Sequence, residues 1–126
     1  MTTNDQYASV RYLVDDVPAA VEFYTKHLGF HLKSNPAPAF ADVVRGPLRL
    51  LLSGPESSGA RATPADAATP GRNRIHLDVE DLGAEIKRLR AAGLEFRSDK
   101  VSGPGGQQIL VADPAGNLVE LFQPAG

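Results

Sequence analysis

Residues Asp113-Pro114-Ala115-Gly116-Asn117-Leu118-Val119-Glu120-Leu121-Phe122 decide how this chain is read. The first five are dense in turn chemistry: Pro114 presets φ for a tight turn, and Gly116 and Asn117 tolerate positive φ. The apolar run Ile109-Leu110-Val111-Ala112 precedes them and a second run follows, which predicts a β-hairpin. Side chains alternate across a strand, so Leu118, Glu120 and Phe122 share one face and Val119 and Leu121 the other. Glu120 is then a carboxylate planted mid-strand among large apolar neighbours, at a buried site or facing a cavity.

Upstream, the chain repeats itself. Val14-Asp15-Asp16-Val17-Pro18-Ala19-Ala20-Val21 matches Val79-Glu80-Asp81-Leu82-Gly83-Ala84-Glu85-Ile86 at an offset of 65 residues, about half the chain. Each copy follows an alternating strand, offers an Asp to cap a helix, and closes at a glycine, Gly29 or Gly93. In the first copy Val17, Ala20, Val21, Tyr24 and Leu28 form one helical stripe; in the second Leu82, Ile86 and Leu89 do. Further strands are expected at Phe30 to Ser34, Phe40 to Arg45 and Leu48 to Leu52. In the second half they are expected near Leu94 to Arg97, at Gln107 to Ala112 and at Leu118 to Phe122. The result is βαβββ written twice in one domain: module one spans about 7–54, module two about 73–123, and a linker of 55–72 joins them. That linker is a mobile cover or a plain connection. Ser102-Gly103-Pro104-Gly105-Gly106 predicts a second flexible loop or wide turn.

Composition limits the function classes. The chain has 126 residues with 42% apolar content, enough for one core. A net charge of −2 and no basic stripe argue against nucleic acid as a partner. No apolar run approaches the ~20 residues of a membrane span, and the N-terminal residues lack a signal-peptide pattern. Without cysteine there is no disulfide, thiolate nucleophile or Cys-based metal site. A cytoplasmic location is expected.

On the two lead strands Val10, Tyr12, Val14 and Ile75, Leu77, Val79 form apolar faces for the helices. The opposite faces carry Ser9, Arg11 and Leu13, then Arg74, His76 and Asp78, with Glu120 joining from the last strand. Leu50, taken as the counterpart of Glu120, adds an apolar wall with Leu48 and Leu52. An apolar cleft with a few converging polar groups suits a small-molecule ligand. The expected ligand contacts are Ser9, Arg11, Leu50, Leu52, Arg74, His76, Leu118, Glu120 and Phe122. Glu120 and His76 are the catalytic candidates. A Ser9-His76-Asp78 hydrolytic triad lacks the nucleophile elbow, and an iron triad on His76 and Asp78 lacks a third ligand.

The two βαβββ modules, the segment Phe23-Tyr24-Thr25-Lys26-His27-Leu28-Gly29-Phe30 and the closing Asp113 to Leu121 resemble the vicinal oxygen chelate superfamily. That group includes glyoxalases, extradiol dioxygenases, and bleomycin- and fosfomycin-resistance proteins. The resemblance covers nearly the whole chain. It implies an α+β fold in which two βαβββ modules form curved mixed sheets around a U-shaped cavity, with helices on the outer face, and a homodimer. Metal-dependent members place a ligand on the first and last strand of each module; here those points fall on Ser9, Leu50, Arg74 and Glu120. Glu120 is the one retained ligand position. A leucine cannot coordinate, a serine hydroxyl is weak, and arginine is a fixed cation. No cofactor is expected, and a divalent metal is disfavoured. Arg74 is expected to supply the missing positive charge and to pair with Glu120. The implied function is metal-independent sequestration of a small molecule, as in the bleomycin-resistance branch. The alternative is a metal-dependent lyase, isomerase or dioxygenase, with Glu120 as ligand or general base and His76 as second donor or proton shuttle.

Overall fold

The computed structural model describes residues 7–64 and 74–126. The chain forms two compact units, Met1–Pro70 and Gly71–Gly126. Each carries one long helix beside a four-stranded mixed sheet, an α+β arrangement, and the first has a short second helix.

The first unit runs β1 (Ala8–Leu13), α1 (Val17–His27), β2 (His31–Ala37), β3 (Phe40–Arg45), β4 (Leu48–Ser53) and a short α2 (Ser58–Arg61), with sheet order β1-β4-β3-β2. The second runs β5 (Arg74–Asp78), α3 (Leu82–Ala91), β6 (Val101–Gly103), β7 (Gly106–Ala112) and β8 (Leu118–Pro124), in the order β5-β8-β7-β6. The lead strand pairs parallel to the last strand in both units, and the other pairings are antiparallel. The repeat in sequence is therefore a repeat of topology.

Its cause lies in the caps. Asp16 accepts from the amide of Ala19 at 3.1 Å, and Asp81 accepts from Ala84 at 3.0 Å. Each carboxylate satisfies one of the amides that a helix start leaves free. Both helices end at a glycine in the left-handed region, Gly29 at φ 74° and Gly93 at φ 90°. The next residue then bonds back to the last turn, Phe30 to the Tyr24 carbonyl and Leu94 to that of Leu89.

Once α1 is fixed, its apolar stripe needs a partner. Tyr12, Ala41, Val43, Leu50 and Leu52 supply it and are buried, with Ala20, Phe23, Tyr24 and Leu28 from the helix. The Tyr24 ring meets Phe23 and Phe30 edge to face at 5.0 and 5.3 Å. In the second unit Ile75, Leu77, Ile109, Val111, Val119 and Leu121 are buried with Leu82 and Leu89 of α3. No helix among the described residues is long and apolar enough to cross a membrane.

Three expectations change. The strand expected near Leu94 to Arg97 forms at Val101–Gly103, and Phe96 makes only an isolated bridge with Val111. The glycines expected to form a wide turn close a tight hairpin instead, Gly103 pairing with Gly106. Within the linker, Ser57 caps α2 by accepting from the Ala60 amide at 3.2 Å, while 65–72 lies outside the described residues.

Candidate functional site

The closing hairpin positions Glu120. Asp113 Oδ1 accepts from the amides of Asn117 at 2.7 Å and Ala115 at 3.0 Å. Asn117 donates its side-chain amide to Asp113 Oδ2 at 3.2 Å. Both side chains are buried, so the loop is held from inside. Gly116 takes the positive φ, 94°, and Asn117 does not. The strand that leaves this loop pairs Leu118 with Arg74, Glu120 with His76 and Phe122 with Asp78. All six share the face that α3 does not cover, as expected from alternation.

On that open face the side chains connect. Arg74 Nε lies 3.1 Å from Glu120 Oε1, with 44% of the Arg74 side chain and 10% of the Glu120 side chain exposed. The expected ion pair is formed. His76 stands between two carboxylates, Nε2 at 2.9 Å from Asp78 Oδ1 and Nδ1 at 3.8 Å from Glu120 Oε2. Its ring rests against Phe122, with centroids 4.8 Å apart. Arg74, Glu120, His76, Asp78 and Phe122 thus form one connected group, beside the half-buried Leu118.

The first unit shows a different open face. Its rows across the sheet are Ser9–Arg49–Val44, Arg11–Leu51–Asp42 and Leu13–Ser53–Phe40. Ser9 and Arg11 are exposed there, as expected. Leu50 and Leu52 are not on it. They pair with Val10 and Tyr12, share the helix-covered face and have no exposed surface. The residue on the open face is the half-buried Leu51. It pairs with Arg11 as Glu120 pairs with His76, and is therefore the counterpart of Glu120. A shift of one residue moves a side chain to the other face of a sheet.

A buried polar cluster on this face was not anticipated. Asp42 is 1% exposed, accepts from the Ser34 hydroxyl, and holds Arg49 Nε at 2.6 Å. Burial alone would raise its carboxyl pKa. The Ser34 and Arg49 hydrogen bonds and the charges of Arg49 and Lys33 outweigh that and hold it below the ordinary 3.8. An Asp amid Phe40, Ala41, Val43 and Val44 was the available signal, of the same kind as Glu120.

Of the metal positions implied by the resemblance, those in the first unit hold Ser9 and, replacing Leu50, Leu51, and those in the second hold Arg74 and Glu120. Neither pair fits a divalent cation: the first offers no carboxylate or imidazole, and in the second the one carboxylate is already paired with a guanidinium. His76 does not complete a site, because its two nitrogens face different carboxylates. Among the described residues no group of three or more His, Asp or Glu is arranged to hold a metal ion.

A family model described as Glyoxalase/Bleomycin resistance protein/Dioxygenase superfamily matches residues 6–121. Similar solved structures include TnmS3, an antibiotic binding protein from Streptomyces sp. CB03234, at 24% identity and TM-score 0.75, covering 99% of this chain and 100% of that one. A lactoylglutathione lyase from Agrobacterium tumefaciens is 22% identical with TM-score 0.77, covering 97% and 96%. A glyoxalase/bleomycin resistance protein/dioxygenase from Nocardioides is 27% identical with TM-score 0.69, covering 98% and 86%. The first two likenesses speak for the fold alone. Among curated proteins none matches. On the family match over nearly its whole length, the chain belongs to the glyoxalase/bleomycin resistance protein/dioxygenase superfamily.

Proposed function

We propose that this chain binds a small, partly apolar molecule without transforming it and without a divalent metal. The observation that carries this reading is the 3.1 Å ion pair of Arg74 with Glu120. The one carboxylate kept at a family ligand position already has a cation beside it, one that cannot be displaced by deprotonation. On the second unit's open face Leu118 and Phe122 supply apolar contact, and Arg74, His76 and Glu120 supply polar anchoring. On the first unit's open face Leu51 offers apolar contact and Ser9 and Arg11 polar contact. An antibiotic binding protein has a similar fold, so a fold of this kind can hold such a ligand. We place the protein in the cytoplasm on its composition, and as a homodimer on the family resemblance.

One observation favours a second reading. His76, between Asp78 and Glu120, has the surroundings of a proton carrier. In that case the chain is a lyase, isomerase or dioxygenase, and Glu120 serves as general base or metal ligand.

A thermal-shift screen of small apolar and aromatic compounds, antibiotics included, separates the two. A ligand bound only by the folded state at a hundred times its Kd adds about 2.7 kcal/mol of stability, which raises Tm by several degrees. The binding reading predicts such a hit, recovered chemically unchanged after prolonged incubation, with a smaller shift in Arg74→Leu. Turnover of the hit that is lost in His76→Gln supports the enzyme instead.

A further inference from the structure

The first unit's open face carries a pair of arginines of which the binding reading uses only Arg11. Arg11 and Arg49 are diagonal neighbours on adjacent parallel strands, with Ser9 paired beside Arg49. Each guanidinium is held by a buried polar group. Arg49 donates from Nε to Asp42, and Arg11 donates from Nη1 to Ser53 Oγ at 2.9 Å. Ser53 has no exposed surface, and its hydroxyl donates onward to the Leu51 carbonyl at 3.4 Å. The backbone of α2 adds a second restraint, because a Cβ at Gly59 would overlap the Arg11 guanidinium.

These restraints leave part of each fork unused. Both Nη groups of Arg49, and Nε and Nη2 of Arg11, make no other hydrogen bond or ion pair among the described residues. Arg11 has no carboxylate partner there. The three rows hold two guanidinium groups against one carboxylate, an excess of one positive charge. Like charges on neighbouring strands repel, so the pair is under electrostatic tension that an incoming anion relieves. Because the guanidinium groups are already oriented, less side-chain entropy is lost on binding. Leu13, Leu51, Val44 and Phe40 lie on the same face and offer apolar contact.

We propose that this face is a subsite for the ionised carboxylate of an otherwise apolar ligand, gripped by the free Nη groups of Arg49 and by Arg11. The inference rests on the binding reading and adds the ligand's acidic class. Two parallel N–H groups at the end of the Arg49 fork match the two oxygens of a carboxylate. Asp42 acts as a positioning residue, and Gly59 keeps room for Arg11.

The test uses naphthoate and its neutral carboxamide as probes, titrated calorimetrically into the full chain. The expected result is that naphthoate binds about tenfold more tightly than the amide, as a charge-assisted pair implies. Added salt weakens only the acid. Arg11→Gln and Arg49→Gln should each remove most of the preference. Because Arg49→Gln leaves Asp42 without its cation, Gly59→Ala gives a second route: it displaces Arg11 and leaves the Asp42–Arg49 pair in place. Gly59→Ala should lower naphthoate affinity several-fold with amide affinity unchanged. Equal affinity for acid and amide in the unaltered protein overturns the carboxylate subsite but leaves small-molecule binding intact. A preference that survives both arginine substitutions also overturns it. Absence of binding by either probe at millimolar concentration overturns the subsite as well, while the broader binding reading then stands or falls on the thermal-shift screen.

Discussion

Leu50→Ala should lower the unfolding free energy by about 3 kcal/mol, whereas Leu51→Ala should cost under about 1 kcal/mol. The residues are chemically identical neighbours, so the difference isolates the facing of β4. Leu50 has no exposed surface and packs with Val43 and the other side chains beneath α1. Truncating it loses transfer free energy and leaves a cavity that close-packed surroundings fill only partly. Leu51 is half-buried on the open face between Arg11 and Asp42. Its truncation should instead weaken ligand binding several-fold. Urea unfolding of the two variants reads the first effect and calorimetry the second. Equal destabilisation would show that the facing of β4 is wrong.

Asp42→Ala should destabilise by about 2 kcal/mol. Breaking a buried ion pair typically costs about 3–5 kcal/mol. The cost is lower here because 33% of the Arg49 side chain is exposed and can be rehydrated. Asp42→Asn, which keeps an acceptor for Arg49, should cost about half as much. The effect depends on pH in a fixed direction. The folded-state carboxyl pKa lies below its ordinary 3.8, so folding favours the ionised form. That contribution is fully present above about pH 4 and is lost as pH falls through the depressed folded value. Unfolding curves of the unaltered protein and Asp42→Asn should therefore be separated at neutral pH and approach each other as the pH falls below the ordinary 3.8. A gap that widens on acidification would contradict the assignment.

Much of the fold was legible because its signals are local. The Asp16 and Asp81 caps, the Gly29 and Gly93 stops and the loop closing on Asn117 are each set by a few neighbouring residues. Strand alternation placed Arg74, His76, Asp78 and Glu120 on one face because Ile75, Leu77, Val119 and Leu121 leave no other choice. In β4 the run Leu50-Leu51-Leu52 presents leucine to both faces, so period two alone cannot decide. Counting from the turn failed as well. The two-residue turn Gly46-Pro47 and the five-residue loop 113–117 launch their returning strands with opposite facings. Arg49 and Ser53, flanking the run, were the polar markers of the open side. The sixth strand was missed because Leu94 to Arg97 carries the apolar signal, while Val101–Gly103 is exposed and held by pairing with Ser102 and Val101 opposite Gln107 and Gln108. Tertiary pairing, not residue preference, makes that strand.

Metal binding tests the central claim most directly. Untagged protein, dialysed against chelator and then titrated with zinc, nickel, manganese and ferrous iron, is predicted to bind none at one ion per chain with micromolar or tighter affinity. The Tm should be unchanged by any of them. One tightly bound ion per chain, lost in Glu120→Gln, would mean that Arg74 yields its place to a metal and that this chain does not bind its ligand in the way described.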